Sequence, residues 1–205
     1  FLVGSAAVVW LVRQGEVAHE AAAAALAASR EAESVADEKR HELEQIQEAL
    51  DICEDYGLYR PIVEQPQYNL NHRQRVEETI LPLAEEEGIG LVVWSPLGGG
   101  LLTGKYDGGL PEDSRLARNE SMAQSMLRED VLDAVRQLKP IADELGVTRA
   151  QLAIAWVLRQ PGVSSAITGA TKISQLEDTL KAVELDLDES VLEHLDELFP
   201  ARVSA

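Results

Sequence analysis

The chain has a single cysteine, Cys53. An internal disulfide is impossible, and a cysteine-rich metal site is excluded. Lysine is almost as scarce. Lys39, Lys105, Lys139, Lys172 and Lys181 are the only ones among 18 basic residues, set against 36 acidic ones for a net charge of −18. Phosphate backbones require clustered Lys and Arg, so nucleic acid is not an expected partner, and an anionic membrane surface is disfavoured for the same reason. Long apolar runs are missing too. Phe1–Val12, FLVGSAAVVWLV, is ended by Arg13, well short of the roughly twenty residues of a membrane span. It lacks the basic start and small-residue cleavage site of a signal peptide. The absent initial Met suggests a chain that begins inside a longer reading frame. A cytoplasmic protein is expected. Its acidic, Lys-poor surface fits either a salt-rich cytoplasm or an ordinary acidic enzyme.

What is present fits one globular domain. The apolar fraction is 45% over 205 residues, shorter than the roughly 250 typical of a whole (β/α)8 barrel. Residues 17–41 are rich in Ala and Glu without Pro or Gly, a strong helical composition. The pattern runs on to Tyr56 and stops at Gly57. Cys53 follows Ile46 and Leu50 at helical spacing and reads as a small buried hydrophobe. Beyond Gly57, Pro61–Gln65 reads as a buried strand. Arg73–Glu87 reads as a helix facing inward through Val76, Ile80 and Leu83. Ile89–Trp94 reads as a parallel strand covered on both sides.

Ser95–Asn119 is a long Gly-rich loop, and such loops usually carry function. Arg128–Leu145 is a helix with Leu132, Val135, Leu138 and Ala142 inward, interrupted near Pro140. Thr148–Gln151 is a capping box opening the next helix, Val163–Thr168 a third strand, Ser174–Glu177 a second capping box, and Asp188 the cap of a last helix. Strands alternating with helices imply a parallel sheet. Three strands cannot close a barrel, so the expected fold class is α/β, about half of a (β/α)8 barrel preceded by a long helix. Such a half exposes two strand edges, so self-association is expected, visible as a light-scattering mass above that of one chain.

Three segments follow the strands: EQPQYNL (Glu64–Leu70), WSPLGGGLLTGKY (Trp94–Tyr106) and TGATKISQLEDTL (Thr168–Leu180). Gly98, Gly99 and Gly100 allow close backbone approach and inward N–H groups. Lys105 and Arg115 add positive charge where the chain has little. The third segment opens a helix, whose N-terminus suits phosphate. The four histidines, His19, His41, His72 and His194, have no partner pattern and read as surface residues.

These three segments, with LPEDSR between the second and third, resemble the aldo-keto reductases, especially the branch that includes the voltage-gated potassium channel β-subunits. The similarity covers residues 42–200, leaving 1–41 as an unmatched extension and 201–205 as a tail. It implies a (β/α)8 fold, NADP(H) as cofactor, and reduction of small carbonyl compounds. By that resemblance Gln65 would bond the nicotinamide carboxamide and Trp94 would stack on its ring. Ser95, Leu97 and Gly99 would line the pyrophosphate, and Lys105, Ser114 and Arg115 would hold phosphate. Thr171 and Gln175 would lie near the adenosine phosphate, and Asp178 near the adenine. Thr179 stands where the family has Asn, which weakens the adenine assignment. The family's catalytic Tyr, Lys, Asp and His come from its first barrel half, and Tyr56, Tyr59, Tyr68 and Tyr106 do not sit in that context. No residue is assigned as catalytic, and no metal is expected. Three readings follow. One is the cofactor-binding half of a reductase, inactive without a complementing half. The others are a noncatalytic nucleotide-binding or channel-associated subunit, and a truncated product without function.

Overall fold

The computed structural model describes residues 2–201, with side chains outside 2–19 and 38. Phe1, the side chains of the rest of the apolar run to Val12 and of His19, and the tail beyond Ala201 lie outside what is described. Two compact units divide at residues 49 and 50.

The first unit is a helix. α1 spans Leu2–Asp55. Residues 20–34 are exposed throughout, as Ala and Glu permit: they favour helix strongly and bury little area per turn. The end of α1 lies in the second unit, where Leu50 is buried. Cys53 is only half-buried, less than its spacing predicts. Gly57, at φ 61°, closes the helix. The Leu58 N–H donates to the Cys53 carbonyl at 2.8 Å and the Gly57 N–H to that of Glu54 at 3.3 Å, a Schellman pattern that requires a left-handed residue.

The second unit is built on three parallel strands, β1 (Val63–Glu64), β2 (Gly90–Trp94) and β3 (Val163–Ile167), in the order β1-β2-β3. Glu64 pairs with Leu91, and Trp94 with Ile167. The β2–β3 register slips between Leu91 and Val92. A methyl group on Gly90 would lie 2.7 Å from the Ser164 hydroxyl, so Gly90 makes room for the irregular residue. The fold class is α/β, a partial (β/α)8 arrangement preceded in the chain by a long helix. Burial of the strands departs from expectation. Leu91 and Val93 are buried on one face of β2, but Val92 is only half-buried and Trp94 exposed. β1 is not buried: Ile62 is 76% exposed and Val63 47%. Both outer strands are sheet edges, and an edge has a neighbour on one side only.

The helices after β1 follow the sequence pattern with one distortion. A π turn at Val76–Ile80 precedes α2 (Leu81–Glu87), and the Leu81 N–H donates to the Val76 carbonyl five residues back. Pro82 has no N–H for the regular bond to Glu78, and a widened turn accommodates that loss. The widening rotates the inward face to Val76, Thr79, Ile80, Leu81 and Ala84, leaving Leu83 half-buried.

After β2 come α3 (Glu120–Met126), absent from the sequence reading, and α4 (Glu129–Glu144). α4 runs unbroken through Pro140, which stands on its exposed side. There, water can serve the carbonyl left without a donor. Its inward residues Leu132, Val135, Leu138 and Ala142 are buried as expected.

α5 (Arg149–Leu158) opens on the expected box: Thr148 accepts from the Gln151 N–H while the Gln151 side chain accepts from the Thr148 N–H. Residues 150–157 are all buried. After β3, α6 (Ile173–Leu180) begins before the expected cap at Ser174. Lys172 stands at the cap, and the Gln175 side-chain oxygen (Oε1) accepts from the N–H groups of Thr171 and Lys172 at 2.9 and 3.2 Å. α7 (Glu189–Leu198) is capped by Asp188, which accepts from the Val191 N–H at 3.0 Å. No helix among the described residues is long and apolar enough to cross a membrane.

Candidate functional site

Parallel strands place all their C-terminal ends along one edge of the sheet. Gln67 bridges Trp94, and Trp94 pairs with Ile167, so the three segments singled out in the sequence leave the sheet side by side. Gln65 is exposed just past β1. Trp94, the last residue of β2, is 42% exposed. A large flat side chain standing open at a strand end is available for stacking. Trp156, by contrast, is fully buried.

The turn after Trp94 is held from beneath. Ser95 is the only non-glycine residue with positive φ among those described, at 54°. The amide of fully buried Asn69 donates to the Ser95 carbonyl at 2.9 Å, while its oxygen accepts from the N–H groups of Asn71 and His72 at 3.0 Å. A left-handed serine needs such support from its surroundings. Asn69 lies inside the EQPQYNL segment, and the sequence reading gave it no part. His72 beside it is half-buried rather than at the surface, and burial lowers its imidazole pKa below the ordinary value.

The glycine loop folds as two tight turns over Gly98–Thr103, with Gly99 at φ 64° and Gly100 at φ 93°. The Gly98 N–H donates to the Ser95 carbonyl at 2.9 Å and the Gly100 N–H to that of Leu97 at 3.0 Å. Those two amides therefore serve the loop itself. Leu97 and Gly99 are half-buried. The loop is packed down by buried Leu101, Leu102, Tyr106 and Leu116. The Lys105 side chain lies over Gly100, where a methyl group would come within 2.3 Å of Nζ, and over the Tyr106 ring at 5.0 Å. Lys105 and Arg115 are exposed. Among the described residues neither is paired with a carboxylate. Ser114 is buried, and its hydroxyl accepts from the Ala117 N–H at 3.2 Å.

On the third segment, Thr171 and Gln175 are exposed and bonded to each other, with the Thr171 hydroxyl donating to Gln175 at 3.2 Å. Asp178 is differently placed. Its carboxylate accepts from the Thr148 hydroxyl at 3.0 Å and from the Gln151 amide at 2.8 Å. Each oxygen accepts one bond from the start of α5, which ties α6 to that turn. Thr179 turns its hydroxyl back to the carbonyls of Gln175 and Leu176.

Arg149 is a further residue the sequence reading passed over. Its side chain is 14% exposed and pairs with Asp107 at 2.7 Å. It also donates to the Val135 carbonyl at 3.2 Å. The available signal was an Arg directly after a cap residue, drowned out by the glycines and Lys105.

The aldo/keto reductase family model matches residues 39–199. The chain belongs to that family. Two relatives within it are "Probable voltage-gated potassium channel subunit beta" of Arabidopsis thaliana, 53% identical over 145 residues, and the protein of the same description from Oryza sativa subsp. japonica, 50% identical over 145 residues. Each alignment covers 69% of this chain and 44% of the relative. The chain thus spans less than half the length of these aldo/keto reductase relatives.

Proposed function

We propose that this chain carries the dinucleotide-holding part of an aldo-keto reductase-type oxidoreductase, with NADP(H) as its cofactor. The observation that supports this most is Trp94, open at the end of the central strand, with two exposed cations, Lys105 and Arg115, in the loop that follows it. The bound group supplies a hydride at its nicotinamide ring. Trp94 stacks on that ring, and Gln65 bonds its carboxamide. Lys105 and Arg115 hold phosphate, Arg with a forked geometry suited to two oxygens. Ser95, Leu97 and Gly99 line the pyrophosphate, and Thr171 and Gln175 the adenosine phosphate.

Turnover needs an acid for the carbonyl oxygen. The described tyrosines do not supply it. Tyr68 is buried with its hydroxyl on Glu77 at 2.7 Å, and burial and then the Glu77 charge raise its pKa. Tyr106 is buried against the Gly99 carbonyl, while Tyr56 and Tyr59 are exposed in the segment following α1, before β1. Binding without carbonyl reduction is the expected behaviour, and a noncatalytic nucleotide-binding subunit would behave in the same way. The test is titration of the chain with NADPH, following Trp fluorescence. Quenching should saturate in the native chain and vanish in Trp94→Leu. Absence of quenching at any accessible concentration would refute the cofactor assignment. Carbonyl-dependent loss of NADPH absorbance would refute the inactivity.

A further inference from the structure

Resting on that reading, we infer that the first turn of α5 is a clamp that fixes both dinucleotide-holding segments at once, with Arg149 and Asp178 as positioning residues rather than ligands. Thr148, Arg149 and Gln151 are members of one capped turn. Arg149 reaches to the loop after β2. Its guanidinium lies on the backbone of Gly104, where a methyl group would sit 1.7 Å from Nη2 and 1.8 Å from Cζ. Gly104 has φ 75°, so the position both demands glycine and uses its bare surface as a seat. From that seat the guanidinium pairs with Asp107 and donates to Val135 of α4. The other Asp107 oxygen is buried and has no partner, so the Arg149 pairing is what compensates that carboxylate. Gly104 and Asp107 flank Lys105, one of the two proposed phosphate cations.

The same turn reaches the other way to the helix after β3. The Thr148 hydroxyl donates to one Asp178 oxygen at 3.0 Å. The Gln151 amide donates to the other at 2.8 Å and to the Asp178 carbonyl at 3.0 Å. Gln151 is a buried residue. Asp178 lies on α6, whose first turn presents Thr171 and Gln175. Gln151 ties the two directions together, since its oxygen accepts from the Thr148 N–H while its nitrogen holds Asp178. The segment after β2 and the segment after β3 are therefore referenced to one rigid turn. The distance between the pyrophosphate and adenosine-phosphate ends of the site is set there.

The experiment compares the full chain with Arg149→Ala, Arg149→Lys, Asp178→Asn and the double variant Arg149→Ala/Asp178→Asn, with two readouts. The first is amide hydrogen exchange without ligand. Arg149→Ala should speed exchange in residues 98–107 by about tenfold or more while α7 stays protected. Asp178→Asn should do the same for residues 171–178. Unchanged exchange in those segments would overturn the clamp, whether or not NADPH binds. The second readout is NADPH affinity. Each single variant should bind roughly tenfold more weakly, and the double variant should lose less than the product of the two, because each releases the same turn. The quenching of Trp94 at saturation should be retained, since Trp94 stands on the strand and not in the clamped segments. Arg149→Lys, which keeps the charge but not the fork, should fall nearer Ala than the native chain. Full rescue by Lys would also overturn the clamp. Failure of the native chain to bind NADPH, with the exchange pattern as predicted, would remove the cofactor assignment and leave the clamp standing.

Discussion

Trp156→Ala should cost about 3–5 kcal/mol, the range for deleting a large buried aromatic side chain. The residue is fully buried on α5, the helix whose residues 150–157 are all inside. Its ring meets that of Tyr68 at 5.0 Å, tilted by 34°. The guanidinium carbons of Arg73 and Arg159 lie over the ring at 4.8 and 4.6 Å. One side chain thus joins the segment after β1, the turn leading into β3 and the core of α5. The indole supplies an apolar surface on which two cations sit without full hydration, and each such contact contributes roughly 0.5–2 kcal/mol. Truncation leaves a cavity and deprives both cations of their platform. In urea, with a slope near 2 kcal/mol per M, the midpoint should fall by about 1.5–2.5 M, read by far-UV circular dichroism because the substitution removes a fluorophore. Trp156→Phe should cost much less. The indole N–H has no partner, so a phenyl ring loses volume but also relieves an unsatisfied donor. Equal losses for Phe and Ala would show that the ring faces are not what matters.

The contrast between that residue and Trp94 marks how far local sequence carries. Both are tryptophans beside apolar residues. Trp94 ends a β-branched run just before a glycine loop, its stacking role is what the family resemblance implies, and the structure leaves it open. The caps at Thr148 and Asp188 were equally readable, since a capping pattern is complete within four residues. So was the inward face of α4, which depends on helical period alone. The failures share another cause. The π turn at Val76–Ile80 and the continuity through Pro140 both concern how one proline is absorbed, and that depends on which side of the helix meets water. The exposure of Ile62 and Val63 depends on how many strands lie beside them. Asp178 bonds to a turn some thirty residues earlier, and Arg149 to one more than forty residues earlier. Nothing near either residue announces the partner. The residues proposed to hold a ligand follow the strands and lie in segments that pattern can locate; residues that hold those segments in place are set by tertiary contacts.

Arg73→Met should cost about 3 kcal/mol, the lower part of the range for removing one member of a buried ion pair. Arg73 is buried and bonds three ways. Nε faces both Glu77 oxygens at 3.0 and 2.9 Å, and Nη1 reaches Asp196 at 2.5 Å and the Phe199 carbonyl at 3.3 Å. Burial opposes its charge, but the hydrogen bonds to Glu77 and Asp196 outweigh that opposition and raise its pKa. Methionine keeps much of the volume against Trp156, so the loss falls on the charged bonds. Glu77 feels it most: its side chain is 19% exposed, and afterwards it keeps only the Tyr68 hydroxyl. Asp196 is 51% exposed and recovers water, which is why the cost stays at the lower end. The effect should also be uneven. Arg73 is the tie between the helix after β1 and the end of α7, so amide protection in Glu189–Leu198 should fall further than protection in α5. Uniform loss across both helices would mean that Arg73 stabilises the core generally and does not latch α7. A stability within about 1 kcal/mol of the native chain would mean that desolvation of the guanidinium already cancels its bonds, the outcome expected where a buried ion pair serves geometry more than free energy.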